Sequence, residues 1–598
     1  MTTRRRPKSP PPEAATAKPR RGLSLLLTLA LVAATCIAFA PGLSGEFLNW
    51  DDDRNFVENE DYRGLGLEQL AWAWQTYHLG VWQPLSWMLL GLQYNVGEAA
   101  APGSSAAGGM PTASSAADAA ASPDDSAAML SGGMDARIYH GTSLALHVLN
   151  ALVFYGLTLA LLRRAMPEAV QRSPNSARLC SAAAAALFAL HPLRVEAVAW
   201  ISCQPYVPAA LFYMLGVWAY LGAHDAAAKA RLAWLAVVFA CYLAAVASKP
   251  AAVSLPVVLL ILDVYPLRRV RREGWAASGV VALLEKLPFL IVAAAVSVWA
   301  AEAKDFVDTR ATLSEFNVSA RLAHSAYGLA FYLGRMVLPL SLSAYYRLPE
   351  DLNLGTWRFA LAAVGVVVLT VGLIVRCRRV PAVLAAWVAY GFILLPSLGI
   401  VQISQQIAAD RYGYIAIMPV MVLAAGWLLR MAQLGQQRRK AARLGLALMV
   451  GSVVVLLAGA TREQTRVWHD SVALWSSVLE TDSQCAVAEC NLGAAYLQLG
   501  QASEASRHIS RAIDLDKDFA WAYSNLGAIL LLAGRNADAA ACFEEALTVE
   551  PPLKDRDRAK AHAGLGEAYL NLGRYDLAWQ QTRKAERLGF KLAAKMIE

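Results

Sequence analysis

Most of the chain is built from long apolar stretches separated by short polar runs. A membrane-spanning helix takes about 20 apolar residues. Stretches of that kind begin near Leu23, Ile138, Leu179, Tyr206, Leu232, Val253, Gly279, Phe359, Val380, Tyr414 and Leu444, which predicts about 11 spans. A further apolar stretch, 323–342, holds Arg335 and Pro339. It is expected to re-enter or to lie along the surface, since one more crossing would invert everything after it. From Thr465 onward the pattern changes to amphipathic helices of soluble type. Gly493 and Gly527 are 34 residues apart, the tetratricopeptide period. Leu492, Tyr496, Ala505 and Ala512 accompany the first glycine; Leu526, Ala539, Phe543, Ala546 and Pro551 accompany the second. A third copy carries Leu565, Gly566, Tyr569, Ala578 and Ala585, displaced by five residues inserted near 554–558. A helix over 467–479 is expected to cap the array. The fold class is therefore all-α: a polytopic membrane helix bundle over 23–464, then a soluble tetratricopeptide α-solenoid over 465–598.

Basic residues orient the bundle. The segment 1–22 carries Arg4, Arg5, Arg6, Lys8, Lys18, Arg20 and Arg21 and is expected to stay in the cytoplasm. Alternate loops then carry Arg163, Arg164, Arg172 and Arg178; Lys229 and Arg231; Arg268, Arg269, Arg271 and Arg272. Arg376, Arg378 and Arg379 follow, and then Arg430, Arg438, Arg439, Lys440 and Arg443. The first outer loop, 43–137, has only Arg54, Arg63 and Arg137. The expected protein is integral to an inner (cytoplasmic) membrane, with its repeat array in the periplasm or equivalent extracytoplasmic space. The first span is read as an uncleaved anchor, a signal peptide being the alternative.

Composition agrees with the membrane reading. Hydrophobic residues make up 57% and charged residues 17%, against about 45–50% and about 25% in soluble domains. This excludes a disordered chain, a coiled coil and a purely cytosolic enzyme. The net charge of +8 is explained by topology, so no nucleic-acid partner is called for. Eight cysteines without a CxxC pair read as small core residues. Residues 98–134, almost wholly Ala, Gly, Ser, Pro and Asp, read as a low-complexity insertion. Before them, 66–97 holds Trp72, Trp74, Trp82, Trp87 and Tyr94. An aromatic belt of helices at the membrane interface explains these rings better than a sugar-stacking surface.

Charged groups at membrane depth or at its edge are costly and mark candidate sites. Asp51, Asp52 and Asp53 follow the first span almost at once. Adjacent carboxylates repel, which raises a pKa toward that of a general base; an acidic turn or helix cap is the alternative. His191, Arg194 and Glu196 close the third span, Lys249 the fifth, and Asp410 and Arg411 precede the tenth. Cations at this edge suit a lipid phosphate; for Lys249 and Arg411, snorkelling is the competing reading. His140, His147 and Asn150 share a helical face and read as interhelical hydrogen-bond formers ahead of a metal pair. No motif demands a cofactor or a metal. Asp51 and Asp53 are the one carboxylate pair with suitable spacing for a divalent ion.

The order of these motifs resembles a family. Phe47-Leu48-Asn49-Trp50-Asp51-Asp52, Trp82-Gln83-Pro84-Leu85, His140 to His147, and His191-Pro192-Leu193-Arg194-Val195-Glu196 come first. Ser248-Lys249-Pro250, Asp263-Val264-Tyr265-Pro266-Leu267 and Asp410-Arg411-Tyr412-Gly413-Tyr414 follow. The pattern resembles the membrane GT-C glycosyltransferases with C-terminal tetratricopeptide repeats, including the transmembrane and TPR-repeat O-mannosyltransferases and their bacterial relatives. The resemblance implies a polyprenyl-phosphate-linked sugar, mannose-like, as donor and a protein Ser or Thr as acceptor, presented by the repeat groove. It implies Asp51 as general base, Asp52 as its partner, and Lys249, Arg411 and Arg194 as donor-phosphate ligands. His191, Glu196 and Asp410 are further candidates. Where bacterial relatives carry a charged Glu-Arg-Lys-Asp run, this chain has Cys203-Gln204-Pro205-Tyr206. That departure keeps a non-catalytic, membrane-anchored scaffold as the alternative.

Overall fold

The computed structural model describes residues 21–100, 134–270, 274–306, 315–400, 406–438, 440–550 and 553–590. The basic lead-in up to residue 20 and nearly all of the 98–134 insertion lie outside the described residues. Among the described residues the regular structure is helical apart from one short antiparallel ribbon, which pairs Tyr346 with Ala408 and Arg347 with Gln406.

Among the described residues, seven helices are long and apolar enough to cross a membrane: Gly22–Ser44, Ala136–Ala165, Ile201–Asp225, Ala228–Ser248, Ala276–Lys304, Trp357–Val375 and Ala441–Val467. The other apolar stretches of the sequence also become helical, but not as straight full-length spans. Pro174–Ala189 with Pro192–Ala199 is bent by 59°, and Asp410–Ala416 with Met418–Leu434 by 53°. Pro250–Val264 and Pro381–Ser397 are apolar but shorter. Proline lies at both bends (Pro192 and Pro419) and opens both shorter helices. Its missing N–H breaks the helical ladder and its ring clashes with the preceding turn.

The stretch around 323–342 is the amphipathic helix Val318–Val337. One side of it braces the bent segment before Asp410. His324 Nε2 bonds the Ile407 carbonyl at 2.7 Å, Ser325 Oγ donates to the Leu398 carbonyl at 2.7 Å, and Tyr332 OH donates to the Ala409 carbonyl at 3.0 Å. The tryptophans of 66–97 depart from a uniform interfacial belt. Trp87 is buried in a core with Phe56, Tyr62 and Tyr139, whereas Trp74 is exposed.

At the basic end of the bundle an ion cluster ties four helices. Lys286 Nζ donates to Asp263 Oδ2 and to Tyr220 OH, each at 2.5 Å. Arg269 donates to Asp263 at 2.9 Å and to Glu285 at 2.8 Å, and Arg231 reaches Glu285 at 2.5 Å. Asp263 and Lys286 are fully buried.

After the bundle, Ser471–Thr481 caps the repeat array, its N-terminus closed by Asp470, which accepts from the Ala473 amide at 2.8 Å. Three helix pairs follow: Ala486–Gln498 with Ala502–Leu515, Ala520–Leu532 with Asn536–Thr548, and Asp555–Asn571 with Tyr575–Arg587. The repeat glycines sit where the two helices of a pair touch. A Cβ on Gly493 would lie 2.5 Å from Ile509, and one on Gly527 would lie 3.0 Å from the Phe543 ring.

Removing one partner of a buried ion pair strands the other charge and costs roughly 3–5 kcal/mol. Lys286→Met should therefore lower thermal stability in detergent markedly, and Asp263→Asn added to it should recover part of the loss. A single variant that melts like wild type would show that the cluster contributes little.

Candidate active site

The site is organised by the segment that follows the first span. Trp50 stacks on Trp200 with ring centroids 4.5 Å apart, and Trp468 and Trp475 complete the enclosure at 6.1 and 5.2 Å. Trp200 Nε1 donates to the Trp50 carbonyl at 3.1 Å. Asn49 is held by the repeat region on both sides of its amide. Its Nδ2 donates to the Asn491 carbonyl at 2.8 Å, and its Oδ1 accepts from Trp475 Nε1 at 2.7 Å. The backbone is thus fixed immediately before the acidic triplet.

Asp51 and Asp52 then have different environments. Asp52 is fully buried and accepts from the Leu48 and Ser202 amides, each at 3.0 Å, and from the Ser202 hydroxyl. Burial pushes its carboxyl up to about 7, although those donors pull the other way. Asp51 adopts a left-handed backbone, φ 66°, a conformation that Asp tolerates better than most residues. This turns its side chain into a crevice, where it keeps part of its surface in contact with solvent. Burial also pushes the Asp51 carboxyl above its ordinary range; Arg54, Arg411 and Lys304 oppose the shift and Asp53 adds to it.

Three cations share that crevice. Lys249 Nζ donates to Gln83 Oε1 at 3.0 Å and lies 5.1 Å over the Tyr206 ring. Burial lowers its ammonium to about 8, and the neighbouring Arg411 and Lys304 act in the same direction. Arg411 is held from behind. Its backbone N–H donates to Glu196 at 2.7 Å, its guanidinium forms an ion pair with the same buried carboxylate, and it packs over Trp200 and Tyr412. Lys304 ends the Ala276–Lys304 helix and feels both Asp51 and Arg411. Glu196 pairs with Arg411, and Lys249 and Lys304 add two further positive charges within reach of Asp51. Such a surplus of positive charge suits an anion.

Asp51, Lys249 and Arg411 therefore lie within electrostatic reach of one another, with Asp52 and Glu196 behind them. The other candidates hold the scaffold. Arg194 corrects its expected role as a phosphate ligand: it is completely buried, donates to the Gly413 carbonyl at 3.1 Å and lies between the Phe188 and Tyr414 rings. His191 accepts from the Leu193 amide through Nδ1, so Nε2 carries the proton and donates to the Met336 carbonyl at 3.0 Å. Asp410 accepts from Tyr346 OH at 3.0 Å. His147 hydrogen-bonds Tyr414 OH at 2.6 Å, and Asn150 donates to the same oxygen at 3.1 Å. Among the described residues no three His, Cys, Asp or Glu side chains are grouped so as to hold a metal ion. At the position of the charged run, Tyr206 supports Lys249 and Gln204 bonds Gln93, Tyr139 and Ser143. Lys304, Gln83 and Ser202 were not singled out from the sequence. Lys304 carried a usable signal, a lone cation ending an apolar helix.

The repeat array closes over the same segment. Arg54 forms an ion pair with Asp557 at 3.2 Å and lies 5.4 Å over Trp521; Glu58 pairs with Arg556 and, at 3.1 Å, with Lys560. Asn491, Trp521 and Asp557 lie on the first helices of three successive repeats, which line the inner face of such an array. Residues 49–58 therefore cover that face within the same chain. A cavity of about 360 Å³ remains beside them, lined by Glu46, Asn49, Asp53, Asp470, Tyr496 and Gln501 among others.

A family profile described as TPR repeat matches residues 493–534, so the C-terminal region contains a tetratricopeptide repeat. A crystal structure of MamA is 25% identical, covers 24% of this chain and 80% of its own, and has a TM-score of 0.19. A second, titled as a crystal structure of MamA protein, is 21% identical, covers 28% and 92%, and has the same TM-score of 0.19. No curated protein matches the chain.

Two predictions follow from this geometry. With its folded pKa raised to about 7, Asp52 keeps a proton that the unfolded chain releases near pH 4. Stability should fall as pH rises through that interval and level off above it. Asp52→Asn should flatten that part of the profile in thermal melts, and an unchanged slope would rule out Asp52 as its source. For the contact between 54–58 and the repeats, Arg54→Asp or Asp557→Arg alone should speed proteolysis within residues 43–137. The double swap should restore protection, with a coupling of about 1 kcal/mol.

Proposed function

We propose that the protein is a membrane glycosyltransferase that moves a sugar from a polyprenyl-phosphate donor to an extracytoplasmic hydroxyl, most simply a protein Ser or Thr. The observation that carries this reading is the convergence of the partly accessible Asp51 carboxylate with Lys249, Lys304 and Arg411 in one crevice. A carboxylate with a raised pKa is suited to take a proton near neutral pH. Asp51 takes the proton of the acceptor hydroxyl as its oxygen forms a bond to the anomeric carbon. The bond from that carbon to the phosphate oxygen breaks on the opposite face, with inversion, and polyprenyl phosphate leaves. Lys249, Lys304 and Arg411 stabilise the charge that grows on this phosphate. Asp52 fixes the turn that aims Asp51, and Glu196 orients Arg411. In this reading eleven crossings place the crevice and the repeats outside a cytoplasmic membrane, and the acceptor enters by the cavity beside Asp53.

A second reading is favoured by the tetratricopeptide match over 493–534: a membrane-anchored scaffold that recruits cell-envelope proteins. It assigns Asp51 and Lys249 no chemistry.

The deciding measurement is transfer by the purified full chain, using polyprenyl-phosphate mannose and glucose with a periplasmic protein extract. Asp51→Asn should reduce incorporation by about 10²–10⁴-fold while the melting temperature is retained. Lys249→Met and Lys304→Met should each weaken it. Incorporation by wild type that persists in Asp51→Asn would remove Asp51 from the chemistry. Failure of wild type to transfer or bind either donor would favour the scaffold.

A further inference from the structure

A groove of about 620 Å³ runs along the bundle between the first span, the Pro174–Ala189 helix and the Met418–Arg438 and Lys440–Val467 helices. It shares no residue with the crevice at Asp51. Small side chains hollow it: Ala30 and Ala34 on one wall, Ala183 and Ala186 on the second, Ala447 and Gly451 on the third. On the Pro174–Ala189 side its lining extends from Ser176 to Leu190. That is about 21 Å at 1.5 Å per helical residue, longer than the roughly 15 Å of hydrocarbon in one leaflet. The trough therefore accommodates an extended acyl chain along its length.

The polarity of the lining is one-sided. Among the described residues its two clearly polar side chains are Ser176 and Arg443, and none of the lining is acidic. Both lie at the end of the bundle where basic residues collect, and Ser176 is in the first turn of its helix, where the helix dipole also favours negative charge.

We infer that this groove is a resident site for a phospholipid with an anionic headgroup, one acyl chain lying in the alanine-walled trough and the phosphate held at Arg443 and Ser176. The inference requires that these helices lie in a membrane and is independent of the transferase reading. The site lies at the opposite end of the bundle from Lys249 and Arg411.

Native mass spectrometry of the delipidated full-length protein tests it. Phosphatidylglycerol, phosphatidylcholine with the same acyl chains, and polyprenyl phosphate would be titrated separately and in competition. One basic side chain at a membrane surface is worth about a fivefold preference for an anionic lipid, so wild type should retain phosphatidylglycerol over phosphatidylcholine by about that factor. Arg443→Gln should abolish the preference, and Arg376→Gln, on a helix that does not line the groove, should preserve it. Ala183→Trp should fill the trough and lower retention of both phospholipids; Ala447→Phe does the same from the opposite wall should the first variant fold poorly. Equal retention of the two phospholipids by wild type, a preference that survives Arg443→Gln, or displacement of phosphatidylglycerol by polyprenyl phosphate would each overturn the assignment.

Discussion

The joint between Trp50 and Trp200 is the contact on which the candidate site depends. Their stack, at 4.5 Å, joins the segment after the first span to the bend at 190–203. Trp468 and Trp475 bring the start of the repeat region into the same aromatic core. Each aromatic pair adds about 0.5–1.5 kcal/mol beyond simple burial. The polar bonds of Asn49 and Asp52 then give this core one register, because each would lose a buried partner if the segment slipped. Asp51 is consequently presented to the cations by parts of the chain more than 400 residues apart in sequence.

The cations reach the same place because the helices that carry them are interrupted. Lys249 stands between Ser248, which ends one helix, and Pro250, which opens the next. Arg411 belongs to the short bent segment before Met418. A broken helix releases backbone groups that water cannot satisfy inside a membrane, so protein groups must satisfy them. His191, Arg194, His324 and Tyr332 do so, by bonding the carbonyls of Met336, Gly413, Ile407 and Ala409. The polar residues at these breaks are thus of two kinds: a few that face the crevice, and a larger set that makes the breaks tolerable.

This division explains what the sequence could and could not reveal. The 34-residue spacing of Gly493 and Gly527 reports a local contact between paired helices, so the repeats were legible from one pattern. Apolar stretches were legible as helices, but their lengths were not, because Pro192, Pro250 and Pro419 shorten or bend them in ways that mean hydropathy does not register. Arg194 and Arg411 look alike in sequence, each within two residues of an acidic one at a helix break. Only packing separates them: one is sealed between two rings and the other reaches the crevice. Lys304 is hard to recognise in sequence because Asp51, whose charge it feels, comes from a distant segment.

The insertion near 554–558 shows the same limit and bears on how a partner could reach the site. It was legible as a break in the repeat period. In the fold it becomes an extra turn, so that Asp555–Asn571 has 17 residues against 13 in Ala520–Leu532. Arg556 and Asp557 on that turn pair with Glu58 and Arg54. Partly exposed ion pairs of this kind contribute about 0–1 kcal/mol each, whereas Asn49 and Trp50 are anchored by interior bonds and ring stacking. Farther along, Phe56 is buried against Phe47, Tyr62 and Tyr139, and Asn55 donates to the Ser202 hydroxyl at 2.9 Å, so only the rim of the covering segment relies on ion pairs. A peptide competing for the inner face of the repeats would have to break the rim ion pairs and unseat Phe56 as well, so the covering segment is held together with the turn that aims Asp51.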